Sequence, residues 1–212
     1  MSTPREDWRA WHSRYDDPSC WLSERLDVVQ ARLAEALDAA PPGPLRVVSL
    51  CAGEGRDLIP VLAAHPRGGD VTARLVELDP HNASTARRSA AASGLTGVEV
   101  VTGDAALTGA YAGLVPAGIV LACGIFGNIS EADIEHTIGC LPQLCGPDAT
   151  VLWTRGRFEP DLVPQICRWF GEHDFEQLWV SQPVHKYGVG VHRYRGEPQP
   201  LAMGTRLFTF IR

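Results

Sequence analysis

Val47-Val48-Ser49-Leu50-Cys51-Ala52-Gly53-Glu54-Gly55-Arg56-Asp57 decides the fold. A short apolar run rich in β-branched residues breaks at two glycines, and the helix-like segment Leu58-Ile59-Pro60-Val61-Leu62-Ala63-Ala64 follows at once. The pattern reads as a buried parallel strand, a tight turn and a helix. Glycine in such a turn takes positive φ and leaves bare main chain for a ligand to lie against. The first amides of the helix add donors and a partial positive charge. Glycines there also serve tight packing alone, so the downstream residues have to decide between packing and ligand binding.

From residue 45 onward, strand-like and helix-like runs alternate. Strands are expected over 45–51, 71–78, 98–102, 118–123 and 150–154, and helices over 57–64, 82–93, 131–141 and 161–172, with a loop or short helix near 106–114. This alternation with short connections argues for a parallel sheet covered by helices on both faces, which binds ligands at the carboxyl ends of its strands. The tail differs: residues 175–182, 187–194 and 205–211 read as strands with no helix between them, so the sheet should finish antiparallel.

Upstream, Thr3-Pro4-Arg5-Glu6 has the form of a capping box. Trp8, Trp11, His12 and Tyr15 then share one helix face, either as a packing stripe or as a lid that closes His12 and Tyr15 over a pocket. Asp17-Pro18 is a second cap-plus-proline start. Leu22, Leu26, Val29, Leu33 and Leu37 mark a long amphipathic helix that ends at Ala40-Pro41-Pro42-Gly43-Pro44. Residues 1–44 are therefore expected as an N-terminal helical lid on a core domain of residues 45–212.

With 212 residues, 45% hydrophobic and 21% charged, the chain suits one soluble globular domain. No run reaches the length of a membrane span. The polar N-terminus, Met1 to Asp7, has no apolar segment behind it, so a cytoplasmic setting without signal or transit peptide is expected. Cys20, Cys51, Cys123, Cys140, Cys145 and Cys167 fall on separate elements without zinc-ligand spacing, and read as reduced, mostly core residues with no metal. The net charge is −6 and Lys186 is the only lysine. No basic run tracks a phosphate backbone, which argues against nucleic acid.

The strand ends carry the chemistry. Glu77 closes the second strand at the separation from the glycine loop where a carboxylate accepts from both ribose hydroxyls. Asp79-Pro80 suits a helix cap. Gly103-Asp104-Ala105 closes the third strand, where the acid can accept from an adenine amino group and Ala105 offers its amide. A nicotinamide fingerprint wants a third glycine, which is missing after Gly53 and Gly55, and a pyrophosphate would be repelled by Glu54 and Asp57. A ligand with ribose, adenine and a cationic arm fits better.

On these motifs the stretch 45–154 resembles the class I S-adenosylmethionine-dependent methyltransferases. The resemblance implies a Rossmann-like α/β fold: a seven-stranded, mostly parallel sheet in order 3-2-1-4-5-7-6 with the last strand antiparallel. It also implies that Ala52, Gly53 and Gly55 line the methionine and ribose portion of S-adenosylmethionine, that Glu77 holds the ribose, that Leu78 and Ala105 border the adenine, and that Asp104 meets its amino group. Cys123 would sit beneath the sulfonium, with Tyr15, Cys51, Asp79 and Gly103 in the same cofactor set. Two departures stand out. Ser49 and Cys51 occupy positions where the family usually has an acid and a glycine, so the cofactor's amino group is expected to find a backbone carbonyl near Ala122 or Cys123. Cys123-Gly124-Ile125-Phe126 also lacks the Asp/Asn-Pro-Pro-aromatic signature, which disfavours DNA or protein glutamine as acceptor.

Methyl transfer from a sulfonium is an in-line displacement that needs positioning more than a base. If a proton must leave, His12, Tyr15, His136, His185 and His192 are the candidates. Asn128 either orients a substrate or caps the next helix, and Arg155 and Arg157 either clamp a substrate anion or are solvated loop charges. The expectation is a monomeric or homodimeric small-molecule O- or N-methyltransferase of biosynthesis, with no membrane partner and a partner subunit not excluded. The alternatives are a related enzyme doing cyclisation or elimination, or a non-catalytic cofactor-binding module.

Overall fold

The strand β1 (Leu45–Leu50) buries Val47, Val48, Ser49 and Leu50 on both faces. A strand with no solvent face belongs in the middle of a sheet with helices above and below. The computed structural model describes Asp17 and residues 20–211 and shows this arrangement. The expected capping box and the helix of Trp8, Trp11, His12 and Tyr15 lie outside the described residues.

Helix α1 (Trp21–Ala39) leads into β1, followed by α2 (Ile59–Ala64), β2 (Val71–Glu77), α3 (Pro80–Ala92) and β3 (Val98–Thr102). The chain continues through β4 (Ala117–Ala122), α4 (Glu131–Cys140), β5 (Cys145–Gly156), α5 (Val163–Glu172), β6 (Phe175–Val180) and β7 (Tyr187–Tyr194). Among the described residues the strands form one sheet in the order β3-β2-β1-β4-β5-β7-β6. β7 runs antiparallel to β5 and β6, whereas β1 to β5 pair parallel. Strand order reverses between β1 and β4, which is where ligands bind in open sheets of this kind.

Two apolar layers flank the sheet. Val47, Leu121 and Leu152 pack with Leu33, Ala36 and Leu37 of α1, Ile59 of α2 and Ala83 of α3. Val48, Val120 and Val151 pack with Ile134 of α4 and Ile166 and Phe170 of α5. Helix α1 is thus part of the sheet's own core. No helix among the described residues is long and apolar enough to cross a membrane.

Some local expectations are corrected. Asp17 does not cap α1: its carbonyl accepts from the Cys20 amide at 3.0 Å in a preceding turn, and Cys20 holds the cap position without a side-chain bond. Residues 205–211 do not form a strand, because they cross the strand ends instead of following an edge. Their ladder pairing is confined to two isolated bridges, Leu107 to Arg206 and Ile129 to Phe210. Leu207 and Phe208 turn into the core, and the Leu207 carbonyl accepts from the Thr137 hydroxyl of α4 at 2.8 Å. The cysteines are free: Cys140 and Cys145 are buried in the core, Cys51, Cys123 and Cys167 pack half-buried against it, and Cys20 is half-buried.

His192, named above as a candidate base, is a core residue of β7 with no exposure. Its ring stacks on Phe170 at 4.3 Å and its Nδ1 accepts from the Trp153 indole at 3.1 Å. Burial lowers its pKa from 6.5 to about 4. The unfolded chain takes up this proton near pH 6.5 and the folded chain only near 4. The stability from a neutral His192 is therefore complete above pH 6.5 and is lost as pH falls towards 4, on the order of 3 kcal/mol in all. Denaturant unfolding at pH 7.5 and pH 4.5 should show that loss in the wild type and a clearly smaller one in His192→Gln, which keeps an acceptor for Trp153 without titrating. Equal losses would contradict the assignment.

Candidate functional site

Beyond β1 the chain takes positive φ at Cys51 (51°), Gly53 (56°) and Gly55 (72°). This coils the loop so that the Ala52 amide donates to the Val76 carbonyl at 3.0 Å and the Gly55 amide to the Ala52 carbonyl at 2.8 Å. The Gly53 amide is left for Glu77, whose Oε2 accepts it at 2.8 Å, while Oε1 accepts the Asp79 amide at 2.8 Å. Glu77 is only 8% exposed. Two amides stabilise the charge of the shielded carboxylate, and each oxygen keeps a lone pair for a further donor.

The loop opens into a cleft of about 620 Å³ at the tips of β1 to β4. Cys51, Ala52, Gly53, Glu77, Leu78, Asp79, Asp104, Ala105 and Cys123 all line it. Gly55 does not: a Cβ there would meet Ile59 Cδ1 at 2.5 Å, so it packs behind the loop. Gly103 also lies outside the wall, its amide donating to the Glu77 carbonyl at 2.9 Å. Asp79 caps α3 by accepting the His81 amide at 2.7 Å. Asp104 accepts the Ala106 amide at 2.9 Å through Oδ1 and pairs through Oδ2 with Arg206 of the C-terminal segment at 3.0 Å.

The remaining sequence candidates sit elsewhere. Asn128 donates to the Gly124 carbonyl at 2.8 Å and steadies the turn after β4, while Ser130 caps α4. Arg155 donates to the Gly156 carbonyl at 2.9 Å. Arg157 is bonded to Asp161 at 2.6 Å and to the Ser181 carbonyl at 3.0 Å. His136 contacts the Arg206 carbonyl at 3.0 Å, and His185 pairs with Glu24 at 3.2 Å. His12 and Tyr15 lie outside the described residues.

Sequence reasoning missed several wall residues. Arg25, Leu26 and Val29 of α1 form one side, Phe210 another, and Asp57 closes the glycine loop. Among the described residues the five wall carboxylates, Glu54, Asp57, Glu77, Asp79 and Asp104, outnumber the guanidinium groups of Arg25 and Arg56. Burial raises the Asp57 pKa to about 6, against the lowering effect of its own amide, the Leu58 amide and Arg25. Burial likewise pushes up the thiols of Cys51, where Glu77 and Asp104 add to the effect, and of Cys123, where Asp57 adds. Both thiols are therefore neutral and poor nucleophiles. Among the described residues no group of three or more His, Cys, Asp or Glu is placed to hold a metal ion.

No protein-family model matches the chain, and no curated protein matches it. Among solved structures it is similar to an O-methyltransferase family protein from Burkholderia thailandensis, at 19% identity and TM-score 0.68, over 90% of this chain and 61% of that one. It is also similar to the magnesium protoporphyrin IX methyltransferase from Synechocystis PCC 6803 with bound SAM, at 15% identity and TM-score 0.66, over 89% and 91%. An RNA methyltransferase from Salinibacter ruber in complex with S-adenosyl-L-homocysteine matches at 18% identity and TM-score 0.54, over 82% and 95%. The chain thus spans about three fifths of the length of the Burkholderia protein. It has the Rossmann-like methyltransferase fold that these proteins share.

Gly55 and Gly103 separate packing from strand-end geometry. Gly55→Ala, forced to φ +72° against Ile59 and Leu75, should lower unfolding free energy by about 2 kcal/mol or more. Gly103→Ala, whose nearest neighbour would be Val101 at 3.7 Å, should stay within about 0.5 kcal/mol. Equal losses in denaturant titrations would refute this division.

Proposed function

We propose that the protein is an S-adenosylmethionine-dependent methyltransferase that transfers the methyl group to oxygen or nitrogen of a small molecule. The observation that carries this is Glu77: a buried carboxylate at the tip of β2, bonded to the glycine loop and facing a cleft rich in acids. Two carboxylate oxygens suit the two adjacent hydroxyls of a ribose. The excess of carboxylates favours a cationic sulfonium arm and opposes a pyrophosphate. The neighbours crystallised with SAM or S-adenosyl-L-homocysteine support the same ligand.

In this reading Leu78, Ala105 and Phe210 supply apolar surface for the adenine, and Asp104, held in place by Arg206, lies ready for its amino group. When bound, the cofactor supplies an electrophilic methyl on a cationic sulfur. The protein's part is to hold an acceptor in line at about 3 Å and to keep water out. Leu26 and Val29 of α1 add apolar surface to the cleft, and Cys123 packs against the small apolar cluster that contains Val29. The Gly124 amide donates to the Thr154 hydroxyl at 2.8 Å, which fixes the floor between β4 and β5.

Proton removal, where the acceptor needs it, is assigned to His12 or Tyr15. His136, His185 and His192 are engaged elsewhere, and no histidine lines the cleft among the described residues. A small-molecule acceptor is preferred over a polyanion because both the cleft and the whole chain are acidic. A cytoplasmic monomer or homodimer is the proposed form.

Titration calorimetry with S-adenosylhomocysteine tests the reading. Glu77→Ala should weaken binding about a hundredfold and Glu77→Gln about tenfold, each with a cooperative thermal transition retained. Unchanged affinity in a folded Glu77→Ala protein would reject it.

A further inference from the structure

A sulfonium nucleoside of this kind carries an α-amino acid arm, with one ammonium and one carboxylate. The wall carboxylates other than Asp57 each have a bonded partner. Glu77 is bonded to the Gly53 and Asp79 amides, Asp79 caps α3, Asp104 pairs with Arg206, and Glu54 pairs with Arg56 at 2.7 Å. Asp57 differs from all of them. It lines the cleft, yet its Oδ1 is sealed from solvent and has no hydrogen-bond partner. An orphaned carboxyl oxygen costs free energy until a donor arrives.

The complementary charge is close by. Arg25 of α1 lines the same cleft, is 6% exposed, and pulls the Asp57 carboxyl towards ionisation. Cys123, at the end of β4, lines the cleft with both of them. Ser49 offers no substitute, since it is fully buried in β1 with its own hydroxyl unpartnered and is not part of the wall.

We propose that Asp57 and Arg25 form a zwitterion subsite, in which the Asp57 carboxylate accepts the ligand's α-ammonium and the Arg25 guanidinium donates to its α-carboxylate. This rests on the S-adenosylmethionine reading above. A planar guanidinium matches a carboxylate, and shielding from water strengthens both ionic hydrogen bonds. The neutral thiols of Cys51 and Cys123 add no competing charge. The subsite takes the place of the backbone carbonyl near Ala122 or Cys123 anticipated from the sequence.

The test compares two nucleosides on the full chain by titration calorimetry: S-adenosylhomocysteine, and methylthioadenosine, which lacks the amino acid arm. Wild type should bind the first about tenfold or more tightly than the second. Asp57→Asn and Arg25→Met should each lose most of that preference while keeping methylthioadenosine affinity within about twofold, which also reports that the variants fold. With Arg25 from α1, Cys123 from β4, and Glu54 and Arg56 from its own loop around it, Asp57 takes up a proton near pH 6. Wild-type affinity for S-adenosylhomocysteine should therefore fall as pH drops through 6, and Asp57→Asn should flatten that profile. Equal wild-type affinities for the two nucleosides, or variants that lose both together, would overturn the subsite. So would an Asp57→Asn protein with full affinity and reduced turnover, the mark of a proton acceptor. Wild type binding neither nucleoside would remove the S-adenosylmethionine reading and the subsite with it.

Discussion

A carboxylate shielded from water has to be met by donors, and Glu77 is met by the backbone of two loops. One bond reaches across to Gly53 and the other back to Asp79, so a single side chain ties the exit of β1 to the tip of β2. The tie is possible only because Cys51, Gly53 and Gly55 take left-handed φ, which turns the Gly53 amide towards β2. Cys51 does so with a side chain, a strained choice that the surrounding bonds must hold. Since β1 is covered on both faces, this strained loop emerges at the centre of the sheet, where strand order reverses and a crevice opens.

Two further elements turn the crevice into a cleft with walls. Leu33, Ala36 and Leu37 anchor α1 in the sheet's core, which sets Arg25, Leu26 and Val29 on a rigid support. The C-terminal segment is held by its backbone at Ala106, Thr108 and Asn128, and by burial of Leu207 and Phe208. Phe210 therefore reaches the cleft from a fixed base, and Arg206 arrives beside Asp104. Acidic groups dominate between these walls, while the two cysteines stay neutral, so the chemistry the cleft favours is recognition of a cation and not thiolate attack.

Much of this was legible in the sequence, for physical reasons that also mark the limits. The β1 run could be read because a strand buried on both faces shows an unbroken apolar stretch, and Glu77 could be placed at the tip of the next strand because the apolar run Leu75-Val76 ends there. Residues 205–211 misled because alternating apolar residues look the same whether a strand pairs or a tail drops Leu207 and Phe208 into a core. Arg25 was hidden inside an amphipathic pattern that reports which face is apolar and not which polar residue turns inward. Asp57 was read only as a repeller of phosphate, because burial and a missing partner are properties of the fold. His192 looked available until Trp153 and Phe170, distant in sequence, closed around it. Arg157 could be read from sequence as a clamp or as a loop charge, and which groups take its guanidinium, Asp161 and the Ser181 carbonyl, is decided only by the fold.

The most direct measurement is a crystal structure of the chain with S-adenosylhomocysteine at saturating concentration. The account predicts both ribose hydroxyls within hydrogen-bonding distance of the Glu77 carboxylate and the adenine against Leu78 and Phe210. A nucleoside bound away from the β2 tip, or strand tips left empty, would contradict it.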